Sequence, residues 1–210
     1  MTDDSAEKRW VPLESNPEVL TAYIRELGVC GNGQFTDVLG LDDELLAMVP
    51  RPIAAVLLLY PITEDSERQR IAEDAELASK SMPESVSRVF FVVQHIENAC
   101  GTIGCIHCIC NSSSKLDLVP GSFFKRLVDG SATFSNAEDR ARAIDTADDL
   151  EAAHGVAAKE GQTEAPEDDE DILLHFVAFV EIEGTLWELD GRRPGPIPRG
   201  PSSPDTILND

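Results

Sequence analysis

The chain is short of positive charge. Against 39 Asp and Glu it carries 17 Lys and Arg, a formal charge of −22. With no Lys/Arg excess to neutralise phosphates, nucleic acid is excluded as an expected partner. Such a surface either quickens encounter with a basic partner or confers solubility. Long apolar runs are missing too: the longest, residues 53–60, falls far short of the ~18 residues a membrane span needs. No membrane association is expected. The first eight residues are polar and acidic, without the apolar core of a secretory leader. Four of the five cysteines crowd between Cys100 and Cys110, which is no disulfide framework. A reducing setting is expected, cytoplasmic or nuclear. Cys105 and Cys108 form a single Cys-X-X-Cys with no second knuckle. On a helix Cys110 would lie well round from Cys105, so four ligands cannot converge. We expect no metal and no cofactor, and read Cys105, Cys108 and Cys110 as packing residues.

What is present suffices for one domain over residues 1–210, with 42% apolar residues to build its core. Asn16 or Ser15 can cap a helix with Pro17 at its first position, carrying Leu20, Tyr23, Ile24 and Leu27. Asp42 opens a short helix that stops by Pro50. Residues 53–60 predict a strand buried on both faces, and 89–93 a second buried strand. Residues 64–80 predict a charged surface helix. Further helices are expected at 123–128, after a cap at Asn136 or Ser135, and around Leu150, Ala153 and Val156. Residues 160–171 hold seven acids and no base, and predict a mobile loop that could reach about 35–40 Å. Residues 172–180 and 185–189 form a hairpin around Glu183-Gly184. Residues 194–204 read as irregular. Ser203, Pro204 and Asp205 begin a helix that has almost no length left to run. The pattern is α+β, with a mostly antiparallel sheet flanked by helices.

The chemistry centres on residues 94–111, QHIENACGTIGCIHCICN. If Asn98 or Ala99 opens a helix, Cys100 sits in its first turn, where unpaired N–H groups and the dipole favour an anion such as a thiolate. Gly101 leaves room for a substrate backbone, and Gln94 offers an uncharged donor toward developing negative charge. A buried core cysteine is an equal reading of this stretch alone. Of the four histidines, His95 lies in the same turn, His107 points away, and His154 is on a polar helix. His175 stands in the apolar run ILLHFVAFV, where a polar ring needs a partner. Counting outward from the hairpin turn sets Val180 opposite about Leu186 and His175 opposite about Asp190 or Gly191. A histidine oriented by an acid, together with a helix-tip cysteine, is a protease-type triad.

These residues carry a family likeness. ENACGTIGCIH preceded by Gln94, LHFVAFVEIEGTLWELDGR, DVLGL and AAVLLLYPIT together resemble the ubiquitin carboxyl-terminal hydrolases, cysteine proteases of papain-like fold. RWVPLESNPEVL and EGQTEAP are most similar to the short, single-domain isozymes. The resemblance covers Arg9 to Leu208. It implies Cys100 as nucleophile, Gln94 as oxyanion donor, His175 as base and Asp190 as its orienting acid. It implies that the acidic loop crosses the cleft and limits leaving groups to small adducts or unfolded tails. It implies contact with ubiquitin through Pro12, Leu13 and Glu14, and through Glu160, Gly161, Gln162, Thr163 and Glu164. Ubiquitin, or a ubiquitin-like modifier, is the expected partner, with the protein a monomer. It also implies a final helix and sheet strand that are missing here after Asp210. The expected activity is deubiquitinating thiol hydrolysis, and a catalytically silent ubiquitin-binding module is the alternative.

Overall fold

The computed structural model describes residues 8–134, 136–161 and 173–210. Along the chain run α1 (Pro17–Glu26), β1 (Val29–Cys30), α2 (Asp43–Leu46), β2 (Val56–Pro61), α3 (Glu64–Leu77), α4 (Cys100–Asn111), β3 (Asp117–Leu118), α5 (Phe123–Asp129), α6 (Ala137–Asp145), α7 (Asp148–Ala157), β4 (Leu174–Ile182), β5 (Thr185–Leu189) and β6 (Ile197–Pro201). β2, β4, β5 and β6 form one antiparallel sheet in that order, with α4 packed against β4. The helices begin where their caps place them. Asn16 accepts from the Glu18 and Val19 N–H groups, Asp42 from Leu45, and Asn136 from Asp139.

α4 is buried from Cys100 through Cys110. A helix apolar on every side must be surrounded. Tyr23 and Ile24 of α1, Phe124 of α5, Ile144 of α6 and Leu150 of α7 cover one flank. Ala178, Val180, Trp187 and Leu189 of the sheet, with Phe91, cover the other. Each such side chain contributes about 1.5–3 kcal/mol on full burial, so the helix carrying Cys100 is firmly held.

Three strand expectations are corrected. Residues 53–60 do not form a strand buried on both faces: β2 starts at Val56, no strand among the described residues flanks its outer side, and Leu58 is 45% exposed. Residues 89–93 are buried and extended but join no ladder, because side chains serve their backbone. Asn111 accepts from the Phe90 N–H and donates to its carbonyl, His107 Nε2 accepts from Val92 N–H, and Arg140 donates to the Phe91 carbonyl. Within the proline-rich segment lies β6, paired with β5 through a bulge between Leu186 and Trp187. Proline is tolerated there because an edge strand needs no outward N–H. Ser203 to Asn209 form turns, not a continued helix.

α3 buries no side chain. It is held instead by ions. Arg193, itself buried, donates from Nε to Asp74 (2.8 Å), from Nη2 to Glu73 (2.6 Å) and from Nη1 to Glu188 of β5 (3.1 Å). Arg199 of β6 joins Glu73 and Glu188, Arg192 reaches Glu67, and Arg70 bridges Glu67 and Asp74. Removing the central cation would leave clustered carboxylates facing one another. Arg193→Met should therefore lower unfolding free energy by about 3 kcal/mol in urea titrations. A loss under about 1 kcal/mol would mean that α3 docks by other means.

Candidate active site

The first turn of α4 is brought against β4 by two glycines. A Cβ on Gly104 would lie 2.6 Å from Leu57 Cδ1 of β2 and 3.6 Å from Phe176 Cβ. A Cβ on Gly101 would lie 3.1 Å from Leu13 Cβ and 3.3 Å from the Phe176 ring. Gly101 therefore serves helix–sheet packing, with Leu13 and Phe176 filling the space read from sequence as room for substrate. His175 is the residue before Phe176, so this approach sets its ring beside the helix tip.

Cys100 lies close enough to His175 for its sulfur to help raise the imidazole's pKa. On its far side His175 donates from Nε2 to Asp190 Oδ1 at 2.7 Å, which leaves Nδ1 for the sulfur. Cys100 is 8% exposed, His175 3% and Asp190 1%. The Tyr60 ring meets His175 edge-on at 5.9 Å from the neighbouring strand. The hairpin pairing expected from sequence holds with a register one residue off: Val180 faces Trp187, and the ladder ends at Ala178 and Leu189. His175 and Asp190 still meet because the chain leaves β5 at Asp190 and folds back. The Arg192 N–H donates to Asp190 Oδ1 at 2.9 Å, and Arg193 N–H to the Asp190 carbonyl at 3.0 Å. The hairpin turn is the two-residue kind whose central positions both need positive φ, +50° at Glu183 and +81° at Gly184.

Burial opposes charge on His175, but the hydrogen bond and charge of Asp190, joined by those of Cys100, outweigh it and push its pKa up to about 9. Burial likewise works against the Asp190 carboxylate, yet its bonds to His175 and the Arg192 N–H hold its pKa below the ordinary carboxylate value. The two shifts describe one imidazolium–carboxylate pair.

Gln94 is tied to the same place. Its main-chain N–H donates to the Gly191 carbonyl at 2.8 Å, and Nε2 donates to the Ile96 carbonyl at 3.0 Å with a second N–H to spare. A Cβ on Gly191 would touch both Gln94 Cβ (3.0 Å) and Ile103 of α4 (2.9 Å), so only glycine lets the three segments close. Of the substrate-segment residues, Leu13 is buried on Gly101, Pro12 and Glu14 are half-buried, and Glu160 is exposed. Glu14 lies against Gly161, where a Cβ would meet its Oε2 at 2.6 Å. Gln162, Thr163 and Glu164, and most of the acidic loop, lie outside the described residues.

The remaining histidines and cysteines have structural surroundings. His107 stacks on Phe91 at 5.2 Å, and its pKa falls to about 4 through burial. Burial pushes Cys108 up to about 12, and raises Cys105 and Cys110 as well. Among the described residues no group of three or more His, Cys, Asp or Glu is placed to hold a metal ion, and no helix is long and apolar enough to cross a membrane. His154, read from sequence as lying on a polar helix, is buried. Nδ1 meets Thr102 Oγ1 at 2.8 Å, Nε2 donates to the Val11 carbonyl at 2.7 Å, and Trp10 covers its ring. Leu150, Ala153 and Ala157, at helical spacing around it, carry the signal that it faces the core.

The family model described as ubiquitin carboxyl-terminal hydrolase, family 1, matches residues 10–210. A ubiquitin carboxyl-terminal hydrolase 3 of Arabidopsis thaliana is 45% identical over all of this chain and 87% of its own length. A probable ubiquitin carboxyl-terminal hydrolase of Dictyostelium discoideum is 43% identical over 97% of this chain and 79% of its own. The human ubiquitin carboxyl-terminal hydrolase isozyme L1 is 41% identical over 95% of this chain and 86% of its own. Among solved structures, the Trichinella spiralis UCH37 catalytic domain bound to ubiquitin vinyl methyl ester superposes with a TM-score of 0.68 at 24% identity, over 94% of this chain and 81% of that one. With a fold of the same kind and a family match running from Trp10 to the last residue, the chain belongs to the ubiquitin carboxyl-terminal hydrolase family.

Proposed function

We propose that the chain is a deubiquitinating thiol hydrolase in which Cys100 is the nucleophile, His175 its proton carrier, Asp190 the orienting acid and Gln94 an oxyanion donor. The observation that carries this reading is the buried line from Cys100 through the His175 ring to Asp190. The sulfur attacks the carbonyl of ubiquitin's terminal glycine and displaces an amine or thiol, which takes the proton His175 holds. The acyl-enzyme that forms is cleaved by water, with the imidazole now acting as base. Negative charge on the carbonyl oxygen meets the unpaired N–H groups of the first α4 turn and the spare N–H of Gln94. Pro12, Glu14, Glu160 and Gly161 line the approach in this reading. The acidic surface suits a partner whose tail is basic.

Incubation with ubiquitin carrying a C-terminal electrophile should give a mass adduct on Cys100. Cys100→Ala should form none and turn over no substrate, while still binding ubiquitin. Binding without an adduct in the unaltered chain would indicate the silent module instead.

The pairing also fixes a pH dependence. His175 has a raised folded pKa, so its stabilising contribution is complete below the unfolded value of ~6.5 and is lost as pH rises through about 9. Asp190 has a lowered one, so its contribution is present above ~3.9 and is lost as pH falls through the folded value. In Asp190→Asn the His175 midpoint, followed by NMR, should drop from about 9 toward the ordinary value or below, as burial loses its main opponent. kcat should fall by about 100-fold or more. An unmoved midpoint would remove Asp190 from the reading.

A further inference from the structure

His95 is exposed and plays no part in the chemistry above. Its ring lies between two carboxylates of α6: Nδ1 is 2.7 Å from Asp145 Oδ2, and Nε2 is 2.9 Å from Glu138 Oε2. A carboxylate only accepts. Two such bonds require an N–H on each nitrogen, which only the imidazolium has, whereas a neutral ring would turn a lone pair on one of them. The turn that bears this ring is the one that orients Gln94, whose Nε2 reaches over His95 to the Ile96 carbonyl at 3.0 Å.

Several ties hold the turn. Gln94 N–H binds the Gly191 carbonyl, Glu97 N–H binds the Lys8 carbonyl, Trp10 N–H binds the Glu97 carbonyl, Ile96 is buried in the core, and His95 is clamped to α6. Of these, only the clamp depends on a proton. We propose that His95 is a positioning residue for Gln94: its imidazolium, gripped by Glu138 and Asp145, fixes the turn that aims the Gln94 amide at the developing oxyanion, and the grip loosens when the ring loses a proton.

The charged surroundings favour the protonated ring. The hydrogen bond to Asp145 is the largest influence raising the His95 pKa, partial burial opposes it, and Glu138 adds to the rise. The nearby cations are engaged elsewhere. Lys8 binds the Asp145 carbonyl and Glu151 of α7, while Arg9 pairs with Glu97 on the segment of His95 itself.

This inference rests on Gln94 as oxyanion donor, and one pair of rates separates the two. Hydrolysis of ubiquitin bearing a fluorogenic C-terminal amide needs the oxyanion donor. Alkylation of Cys100 by iodoacetamide, in which the sulfur displaces iodide, needs none. At pH below the His175 value of about 9, where that ring still holds the leaving group's proton, the ratio of kcat/KM to the alkylation rate therefore separates Gln94 from the reactivity of the Cys100 sulfur.

In the unaltered chain this ratio should fall several-fold with rising pH, about a midpoint above the ordinary histidine value of ~6.5. His95→Gln should show a ratio about tenfold lower at neutral pH with no such step, its alkylation rate staying within about twofold. His95→Arg, a permanent cation with a fork of donors, should restore the ratio and keep it flat. Glu138→Gln should move the step to lower pH. The proposal is overturned by an unchanged ratio in His95→Gln, by the same step in that variant, by an Arg variant no better than Gln, or by an unmoved step in Glu138→Gln. A Gln94→Ala variant with an unchanged ratio would instead overturn the oxyanion role itself.

Discussion

Everything at the site depends on how closely α4 can lie against β4. Helix and sheet surfaces ordinarily stand about 10 Å apart because side chains fill the gap, and a thiol and an imidazole on facing surfaces would then miss each other. Gly101 and Gly104, one turn apart, remove the side chains on that face, and Leu57, Phe176 and Leu13 occupy the space directly. The helix cannot drift, since it is buried along its length. The sulfur at its tip and the ring on β4 are therefore held by packing at interior density, and bringing them together needs little further ordering.

Around this contact the chain uses its charge in two ways. Most of the 39 acids leave the surface strongly negative. A minority are gathered with arginine behind the hairpin, where Arg193 joins β5 to α3 and sits three residues beyond Asp190. The turn that returns Asp190 to His175 is thus braced by ions on one side and by the Gly191 carbonyl on Gln94 on the other. Asp190 and Gln94, the proposed orienting acid and oxyanion donor, are linked through a single glycine.

How much of this could be read from the sequence follows the range of the interactions. The helix starts were legible because caps are local: Asn16, Asp42 and Asn136 bind N–H groups two or three residues on. The pairing of His175 with Asp190 was legible because a two-residue turn fixes what faces what. The count itself ran one residue short: with Glu183 and Gly184 as the two turn residues, Ile182 faces Thr185 and Val180 therefore faces Trp187, not Leu186. Residues 89–93 misled because an apolar run states burial without saying what takes its hydrogen bonds, here Asn111, His107 and Arg140 from more than a dozen residues away. β6 was hidden by its prolines. The ring of His154 and the two carboxylates on His95 have partners 43 to 143 positions distant, and no spacing rule reaches so far. Gly101 was assigned to substrate when its neighbours are Leu13 and Phe176, a question only packing could decide.

The most direct measurement is the single-turnover rate of covalent adduct formation between Cys100 and a ubiquitin-based electrophile in Gly104→Val, in Leu57→Ala and in the double variant. If the helix–sheet approach sets the sulfur against the imidazole, Gly104→Val should stay folded yet react tenfold or more slowly, and the added space of Leu57→Ala should return much of the rate in a clear non-additive coupling. A Gly104→Val protein that reacts at the original rate, or a loss that Leu57→Ala leaves untouched, would contradict the account.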